Sequence, residues 1–266
     1  MEIETGTDRM LARIEGGIGW MTYNNPARLN AMSMDMNAAV PRILDAFQAS
    51  DDVRVVVVTG AGGKAFVSGA DISEFGEKRT SVDARAEYDR VAAEAGKAWT
   101  RVDKPIIAMI RGYCIGGGML TAMQADIRIA SEGSQFGVPA ARLGLGYGYG
   151  GVERLVQLVG TAWTSEILFS ARRLADHEAL RIGLVNRIVP GDLLESAVAE
   201  LASTMAANAP LTIRACKAAI RETMKDAGRR NLDHVNELTE DCFRSDDYRE
   251  GQAAFMEKRP PQFQGR

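Results

Sequence analysis

The chain has 266 residues, of which 46% are hydrophobic, and this suits one large globular domain or a domain with an appendage. Its net charge of −3 excludes the strongly basic surface typical of nucleic-acid-binding proteins. The cysteines Cys114, Cys216 and Cys242 form no closely spaced pair, which argues against a disulfide framework or a zinc site. No apolar run approaches the roughly 20 residues of a membrane helix. The acidic, polar N-terminus does not resemble a signal peptide, so we expect a cytoplasmic protein with no membrane partner.

The periodicity of apolar residues predicts strands interleaved with helices, followed by helices alone. Residues 9–14 and 18–23 alternate around Gly16-Gly17 and predict a β-hairpin. The valine-rich run at 53–59 predicts a strand buried on both faces. In chain order, the other predicted elements are a helix at 33–50, a strand at 65–67, a helix at 83–101, a strand at 106–110, a helix at 119–124, strands at 127–129 and 135–137, helices at 151–159, 162–169 and 176–181, a strand at 186–189, and helices from 192 almost to the end. This order predicts an α/β core with a helical C-terminal part.

Three consecutive glycines, Gly116-Gly117-Gly118, stand between a predicted strand and a predicted helix. Glycine leaves the backbone N–H groups bare, and the first N–H groups of a helix have no partner within it. Such a junction can bind a phosphate or a developing oxyanion, with the positive end of the helix dipole behind it. The same glycines can equally let a helix pack close to a sheet. This stretch alone leaves both interpretations open.

Two further glycine-rich stretches have different implications. Residues 60–65 match the dinucleotide-binding pattern GxGxx(G/A), but they lead into a predicted strand, whereas that fingerprint requires a helix to begin at the glycines. This argues against a nicotinamide cofactor. Glycine occupies half of residues 142–151, which we predict to be a loop that serves a site.

Two separated segments together resemble the signature of the crotonase (enoyl-CoA hydratase/isomerase) family. They are Ser68-Gly69-Ala70-Asp71-Ile72 and, further along, Cys114-Ile115-Gly116-Gly117-Gly118. Segments similar to the family continue at 25–32, 125–130, 136–139, 175–185 and 251–266. The resemblance implies an α/β fold, a ClpP-like spiral of ββα units over residues 1–195. It also implies a helical C-terminal region at 196–266 that assembles homotrimers or dimers of trimers.

The resemblance also implies an acyl-CoA site. In the family, two backbone N–H groups bind the thioester oxygen, and by position these belong to Ala70 and Gly117. Donors aimed at an enolate oxygen stabilise the transition state by roughly 3 kcal/mol each. No metal and no separate cofactor are implied, because coenzyme A enters as part of the substrate. Arg28 would either neutralise a phosphate of coenzyme A or be a solvated surface charge. By position, the residues lining the site are Ala27, Arg28, Leu29, Ala70, Asp71, Ile72, Tyr113, Gly116, Leu120 and Ala140.

The sequence departs from the family where hydratases carry their two glutamates. Those positions hold Leu120 and Ala140, neither of which can transfer a proton. Tyr147, Tyr149 and Glu153 are the candidates to replace them.

Tyr147 aligns with a tyrosine of the methylmalonyl-CoA decarboxylases, although the histidine of those enzymes is replaced here by Ala70. The resemblance therefore leaves three readings open. The first is an acyl-CoA decarboxylase, isomerase or hydrolase. The second is a hydratase with a displaced acid and base, and the third is a non-catalytic acyl-CoA-binding protein.

Overall fold

The computed structural model describes residues 1–71 and 82–266. Its strands are β1 (Met10–Glu15), β2 (Ile18–Tyr23), β3 (Val55–Gly60), β4 (Ala65–Val67), β5 (Ile106–Ile110), β6 (Tyr113–Ile115), β7 (Ile127–Ser131), β8 (Gln135–Gly137), β9 (Leu174–Ala175) and β10 (Arg187–Val189). Its helices are α1 (Met34–Ala49), α2 (Val82–Thr100), α3 (Gly117–Gln124), α4 (Tyr149–Ser170), α5 (Asp176–Arg181), α6 (Leu194–Ala206), α7 (Pro210–Thr223), α8 (Leu232–Arg244) and α9 (Asp246–Glu257). Short 3-10 turns cover Pro26–Arg28, Pro139–Leu143, Gly191–Leu193 and Ala227–Arg229.

The strands form two sheets, and from β3 to β8 consecutive strands alternate between them. The larger sheet has the order β1-β2-β3-β5-β7-β10, and the smaller has the order β4-β6-β8-β9. In each of the pairs β3/β4, β5/β6 and β7/β8, the first strand therefore belongs to the larger sheet and the second to the smaller sheet, before the chain enters a helix. Only β1 with β2 and β8 with β9 pair antiparallel among the described strands. This arrangement is the predicted spiral of ββα units, and the α/β fold class is confirmed.

The valine-rich strand β3 is buried on both faces, as its composition predicts. Val56 and Val58 face the main core, which also contains Phe47 of α1 and Phe66 of β4. The alternate residues of β3 face a second cluster on the other side of the large sheet. That cluster contains Val55, Val57, Ile18, Trp20, Ile107, Met109 and Ile129, together with Leu194, Val198 and Ala202 of α6.

The structure refines several details of the sequence-based prediction. A short strand, β6, lies between β5 and the glycines 116–118 (the glycine box), because the chain turns at Gly112 (φ 70) and then joins the smaller sheet. The helices predicted at 151–159 and 162–169 form α4, in which non-helical backbone at Gly160 separates two helical parts, so the predicted break is confirmed. The region 142–151 is not wholly loop. A 3-10 turn, Pro139–Leu143, extends into its start, and α4 begins at Tyr149.

The C-terminal helices attach to the core through α6 and α7. The buried Lys217 of α7 donates from Nζ to the Asp126 carboxylate (2.8 Å) and to the Lys104 carbonyl (2.7 Å). Asp126 also accepts from the Ile106 N–H at 2.7 Å, so it links α7 to the start of β5. The division at residue 195 stays a prediction, and α6, which spans it, packs on the large sheet.

In the part of the chain described, no helix combines the length and apolar character needed to span a membrane.

Candidate active site

The glycine box joins β6 to the first turn of α3. Gly116 takes a left-handed conformation (φ 56), and its N–H donates to the Gly137 carbonyl at 2.8 Å. A Cβ added at Gly118 would overlap the Val67 carbonyl oxygen, so this glycine lets α3 approach β4 closely. Gly117 is different, because an added Cβ there would overlap the Cε methyl of Met32 and lie 3.7 Å from the Ala70 nitrogen. Both readings of the glycine box therefore apply, but to different glycines.

The segment that contains Ala70 is held by a neighbouring loop. The Met32 N–H donates to the Gly69 carbonyl (2.7 Å), and the Asp71 N–H donates to the Met32 carbonyl (2.8 Å). One step earlier, the Ser68 N–H donates to the Leu29 carbonyl at 3.1 Å. This parallel pairing uses the Gly69 carbonyl and the Asp71 N–H on either side of Ala70, and no acceptor among the described residues pairs with the Ala70 N–H.

Ala70 and Gly117 are thus brought together. A Cβ added at Gly69 would lie 3.9 Å from the Gly117 nitrogen, so the two backbone segments face each other across a narrow space. Within residues 1–71 and 82–266, no carbonyl or side chain accepts a hydrogen bond from the N–H of either residue. Two convergent, unpaired N–H groups at a helix N-terminus can stabilise a negatively charged oxygen.

The wall beside these N–H groups is apolar. Leu120 follows Gly117 by about one helical turn, and it is half-buried against the main core. Ala140 is also half-buried and follows Pro139, whose Cδ would lie 3.8 Å from a Cβ on Gly116. At both positions the site offers methyl groups and no group that could transfer a proton.

Tyr147 packs against the same apolar core as Leu120 and Ala140. Its ring packs against Gly151, where an added Cβ would lie 2.7 Å from the Tyr147 Cε1. Its hydroxyl is buried and has no hydrogen-bond partner, the one such side-chain atom among the described residues. Burial, with a smaller contribution from the nearby Cys114, raises the pKa of Tyr147 to about 12. The phenol is therefore protonated at neutral pH and can donate a hydrogen bond to a ligand.

Tyr149 and Glu153 are not brought into contact with this hydroxyl. Tyr149 begins α4 and is 78% exposed, and Glu153 is exposed about one turn further along the helix. Their catalytic roles stay predictions.

The predicted coenzyme A loop is well ordered. It contains a 3-10 turn at Pro26–Arg28, followed by left-handed backbone at Leu29 (φ 53) and Asn30 (φ 56). The buried Asn30 side chain donates to the carbonyls of Ala61 (2.9 Å) and Ala65 (2.8 Å) and accepts from the Asn25 N–H (2.9 Å). The role of Asn30 is not evident from the sequence, although asparagine adopts left-handed backbone more often than most residues.

The remaining predicted substrate-binding residues lie around this loop. Ala27 is exposed and Leu29 is half-buried, and Arg28 is ion-paired with the buried Asp71 at 3.1 Å. Tyr113 is half-buried, with the Arg173 guanidinium 5.1 Å from its ring centre. Ile72 lies outside the described residues. In the described ranges, no group of three or more His, Cys, Asp or Glu side chains could hold a metal ion.

Comparison with known proteins agrees with this geometry. The profile of the Enoyl-CoA hydratase/isomerase family matches residues 13–266. The chain is 36% identical to a short-chain-enoyl-CoA hydratase of Clostridium acetobutylicum, over 92% of this chain and 93% of that protein. It is 34% identical to a crotonyl-CoA hydratase of Syntrophomonas wolfei, over 96% of this chain and 98% of that protein. Among solved structures, an enoyl-CoA hydratase/carnithine racemase from Magnetospirillum magneticum superposes with a TM-score of 0.90 at 33% identity, covering 98% of this chain and 97% of the other.

Proposed function

Because the chain belongs to the enoyl-CoA hydratase/isomerase family, we propose that it binds an acyl-CoA thioester with the carbonyl oxygen between the N–H groups of Ala70 and Gly117. The support is that neither N–H group has an acceptor among the described residues and that the two segments face the same narrow space. Backbone donors cannot titrate, so they keep this function at any pH at which the protein is folded. Charge that develops on the oxygen as an enolate forms would be stabilised there.

We further propose that the reaction is the decarboxylation of an acyl-CoA that carries a carboxylate on its α-carbon. The observation that carries this proposal is the buried Tyr147 hydroxyl, which has no hydrogen-bond partner among the described residues. Leu120 and Ala140 stand at the positions where hydratases carry glutamates. The bond between the α-carbon and the carboxylate breaks, CO₂ leaves, and the electron pair forms the enolate. A proton from solvent then restores the α-carbon. This sequence needs no general base, and the phenol of Tyr147 orients the carboxylate.

Hydration is the second candidate, because two of the relatives above are named hydratases. Adding water across a double bond requires groups that activate the water and protonate the α-carbon. Glu153 and Tyr147 would have to supply them, yet Glu153 is exposed in the isolated chain. Isomerisation likewise needs a group that carries a proton, and thioester hydrolysis needs a group that activates water. Decarboxylation needs neither group, so it fits a site in which Leu120 and Ala140 replace the glutamates.

A panel of substrates separates these reactions. Crotonyl-CoA tests hydration, a 3-enoyl-CoA tests isomerisation, methylmalonyl-CoA tests decarboxylation, and release of free thiol from any of them tests hydrolysis. We expect CO₂ release from methylmalonyl-CoA and slow or no hydration of crotonyl-CoA. Rapid hydration of crotonyl-CoA would overturn the proposal. Binding of all three without turnover would instead favour a non-catalytic acyl-CoA-binding protein.

For assembly we propose a homotrimer or a dimer of trimers, with no metal or separate cofactor and a cytoplasmic location. Several large apolar side chains of the C-terminal helices are exposed in the single chain, including Phe255 (83%) and Met256 (79%). Contact with other copies of the chain would remove them from water. Light scattering coupled to size exclusion measures the number of subunits directly, and a monomer would contradict this assembly.

A further inference from the structure

Arg28 and Asp71 connect the two backbone segments that position Ala70. One terminal nitrogen of Arg28, Nη1, lies 3.1 Å from both carboxylate oxygens of Asp71. The Arg28 side chain is 55% exposed, whereas that of Asp71 is 8% exposed. The ion pair thus joins a surface residue of the coenzyme A loop to a buried carboxylate directly after Ala70.

This ion pair adds to the backbone pairing of the same segments. The pairing runs from the hydrogen bond of Ser68 to Leu29 through that of Asp71 to Met32. The Ser68 hydroxyl also donates to the Arg28 carbonyl at 3.4 Å. Burial penalises the Asp71 carboxylate, and the arginine charge offsets part of that cost, so loss of this charge would favour movement of Asp71 toward water. Because Ala70 is bonded directly to Asp71, such a movement would turn the Ala70 N–H.

We propose that Arg28 is a positioning residue, which acts through Asp71 to keep the Ala70 N–H aimed at the thioester oxygen. This role differs from binding a phosphate of coenzyme A. It rests on the proposed function only for the use of Ala70 and Gly117 as oxygen-binding donors, and it holds whichever reaction the site performs.

A chromophoric thioester tests this role without a known substrate. In 4-(dimethylamino)cinnamoyl thioesters, hydrogen bonds to the carbonyl oxygen polarise the chromophore and move its absorption to the red. The coenzyme A thioester carries the phosphates, and the pantetheine thioester lacks them. Each is titrated to saturation into the unmodified protein and into R28Q, R28K and R13Q. Arg13 is a matched control, because it is a half-exposed arginine paired with Glu15 on β1.

We expect the unmodified protein and R13Q to shift both thioesters equally. In R28Q the shift at saturation falls to about half or less for both thioesters, because a misdirected donor polarises the carbonyl weakly. Affinity for the two thioesters changes by the same factor. R28K restores most of the shift, because one nitrogen contacts both Asp71 oxygens in the structure and an ammonium group can replace it.

Three results would overturn the inference, and they have different meanings. A full red shift in R28Q would show that Arg28 does not position the donor. A loss of affinity confined to the coenzyme A thioester, with its shift retained, would identify Arg28 as a phosphate ligand. Absence of a shift in the unmodified protein would remove the oxygen-binding site itself, and with it the proposed function. A shift that depends on Arg28 without decarboxylation of methylmalonyl-CoA would refute only the proposed reaction.

Discussion

Gly118 faces the carbonyl oxygen of Val67 so closely that an added Cβ would overlap that oxygen. The neighbouring Gly117 faces the Cε methyl of Met32, the flexible end of a side chain, and the Ala70 nitrogen lies just beyond. Two adjacent glycines therefore have separate purposes. One permits helix α3 to pack on strand β4, and the other keeps a binding space open.

Substitutions at these two glycines should separate folding from binding. G118A forces backbone apart, so we expect it to lower the free energy of unfolding by about 2–4 kcal/mol. G117A displaces a methionine methyl, so we expect nearly unchanged stability but loss of the red shift of the bound cinnamoyl thioester. Urea unfolding and the spectral titration measure the two effects. G150A is the control, because a Cβ there meets no atom within 4 Å. Equal destabilisation by G117A and G118A would contradict this division.

Removal of the Tyr147 hydroxyl should reduce activity without reducing stability. Y147F deletes a buried hydroxyl that has no partner among the described residues, so we expect the free energy of unfolding to stay the same or rise by about 1 kcal/mol. If the phenol orients the substrate carboxylate, kcat/KM for methylmalonyl-CoA should fall by about tenfold to a hundredfold, since a hydrogen bond to a charged group is worth about 1.5–3 kcal/mol. Y149F is the control, because Tyr149 is exposed. Unchanged decarboxylation in Y147F would remove Tyr147 from the mechanism.

The pH dependence of stability provides a second test of the Tyr147 environment. Burial raises the folded-state pKa of Tyr147 to about 12, compared with about 10 in an unfolded chain. The unfolded state therefore loses its proton first as pH rises. The stability contributed by the neutral phenol is complete below about pH 10 and is lost as pH approaches 12. Measured as the difference from Y147F, the unmodified protein should lose stability within this window, and parallel curves would show that the hydroxyl is not buried.

Restoring carboxylates to the apolar wall should create hydratase activity. Leu120 and Ala140 stand at the positions where the resemblance places the hydratase glutamates, so L120E/A140E supplies both missing groups. We expect hydration of crotonyl-CoA to rise by at least about a hundredfold, the lower range for general acid–base catalysis. L145E adds a carboxylate at an exposed position of the neighbouring loop and should give no gain. If the double variant folds and binds acyl-CoA yet gains nothing, the alignment of these positions is wrong.

The ion pair between the buried Lys217 and the partly exposed Asp126 should contribute to stability. K217M removes the hydrogen bonds of the ammonium group to the Asp126 carboxylate and the Lys104 carbonyl, so we expect a loss of about 1–3 kcal/mol. R244M is the control, because Arg244 and its partner Asp241 are both exposed, at 66% and 51%, and their pair should contribute less than about 1 kcal/mol. Chemical unfolding monitored by circular dichroism compares the two. Equal, small effects would show that α7 is held by its apolar contacts alone.

Much of the site could be predicted from sequence because its requirements are local. Position 118 lies against a strand and position 116 has positive φ, and glycine alone fits both requirements. Leucine and alanine at positions 120 and 140 have no titratable group, so these side chains cannot transfer a proton whatever their place in the fold. The resemblance then identified Ala70 and Gly117 as partners, and the structure brings them together. It aligned Tyr147, and not Tyr149, with a tyrosine of the methylmalonyl-CoA decarboxylases, but it did not predict that Tyr147 is buried and Tyr149 exposed, because both are flanked by glycines in the same stretch.

The sequence by itself determined the alternation of strands and helices, the burial of β3 on both faces and the family of the chain. These follow from the spacing of apolar residues and from short motifs, which are properties of neighbouring residues. Only the tertiary structure decided that β6 joins a second sheet, that Tyr147 is buried while Tyr149 is exposed, and that Arg28 pairs with Asp71. Burial and ion pairing depend on which distant segments of the chain come into contact. The periodicity of residues within one segment carries no information about those contacts.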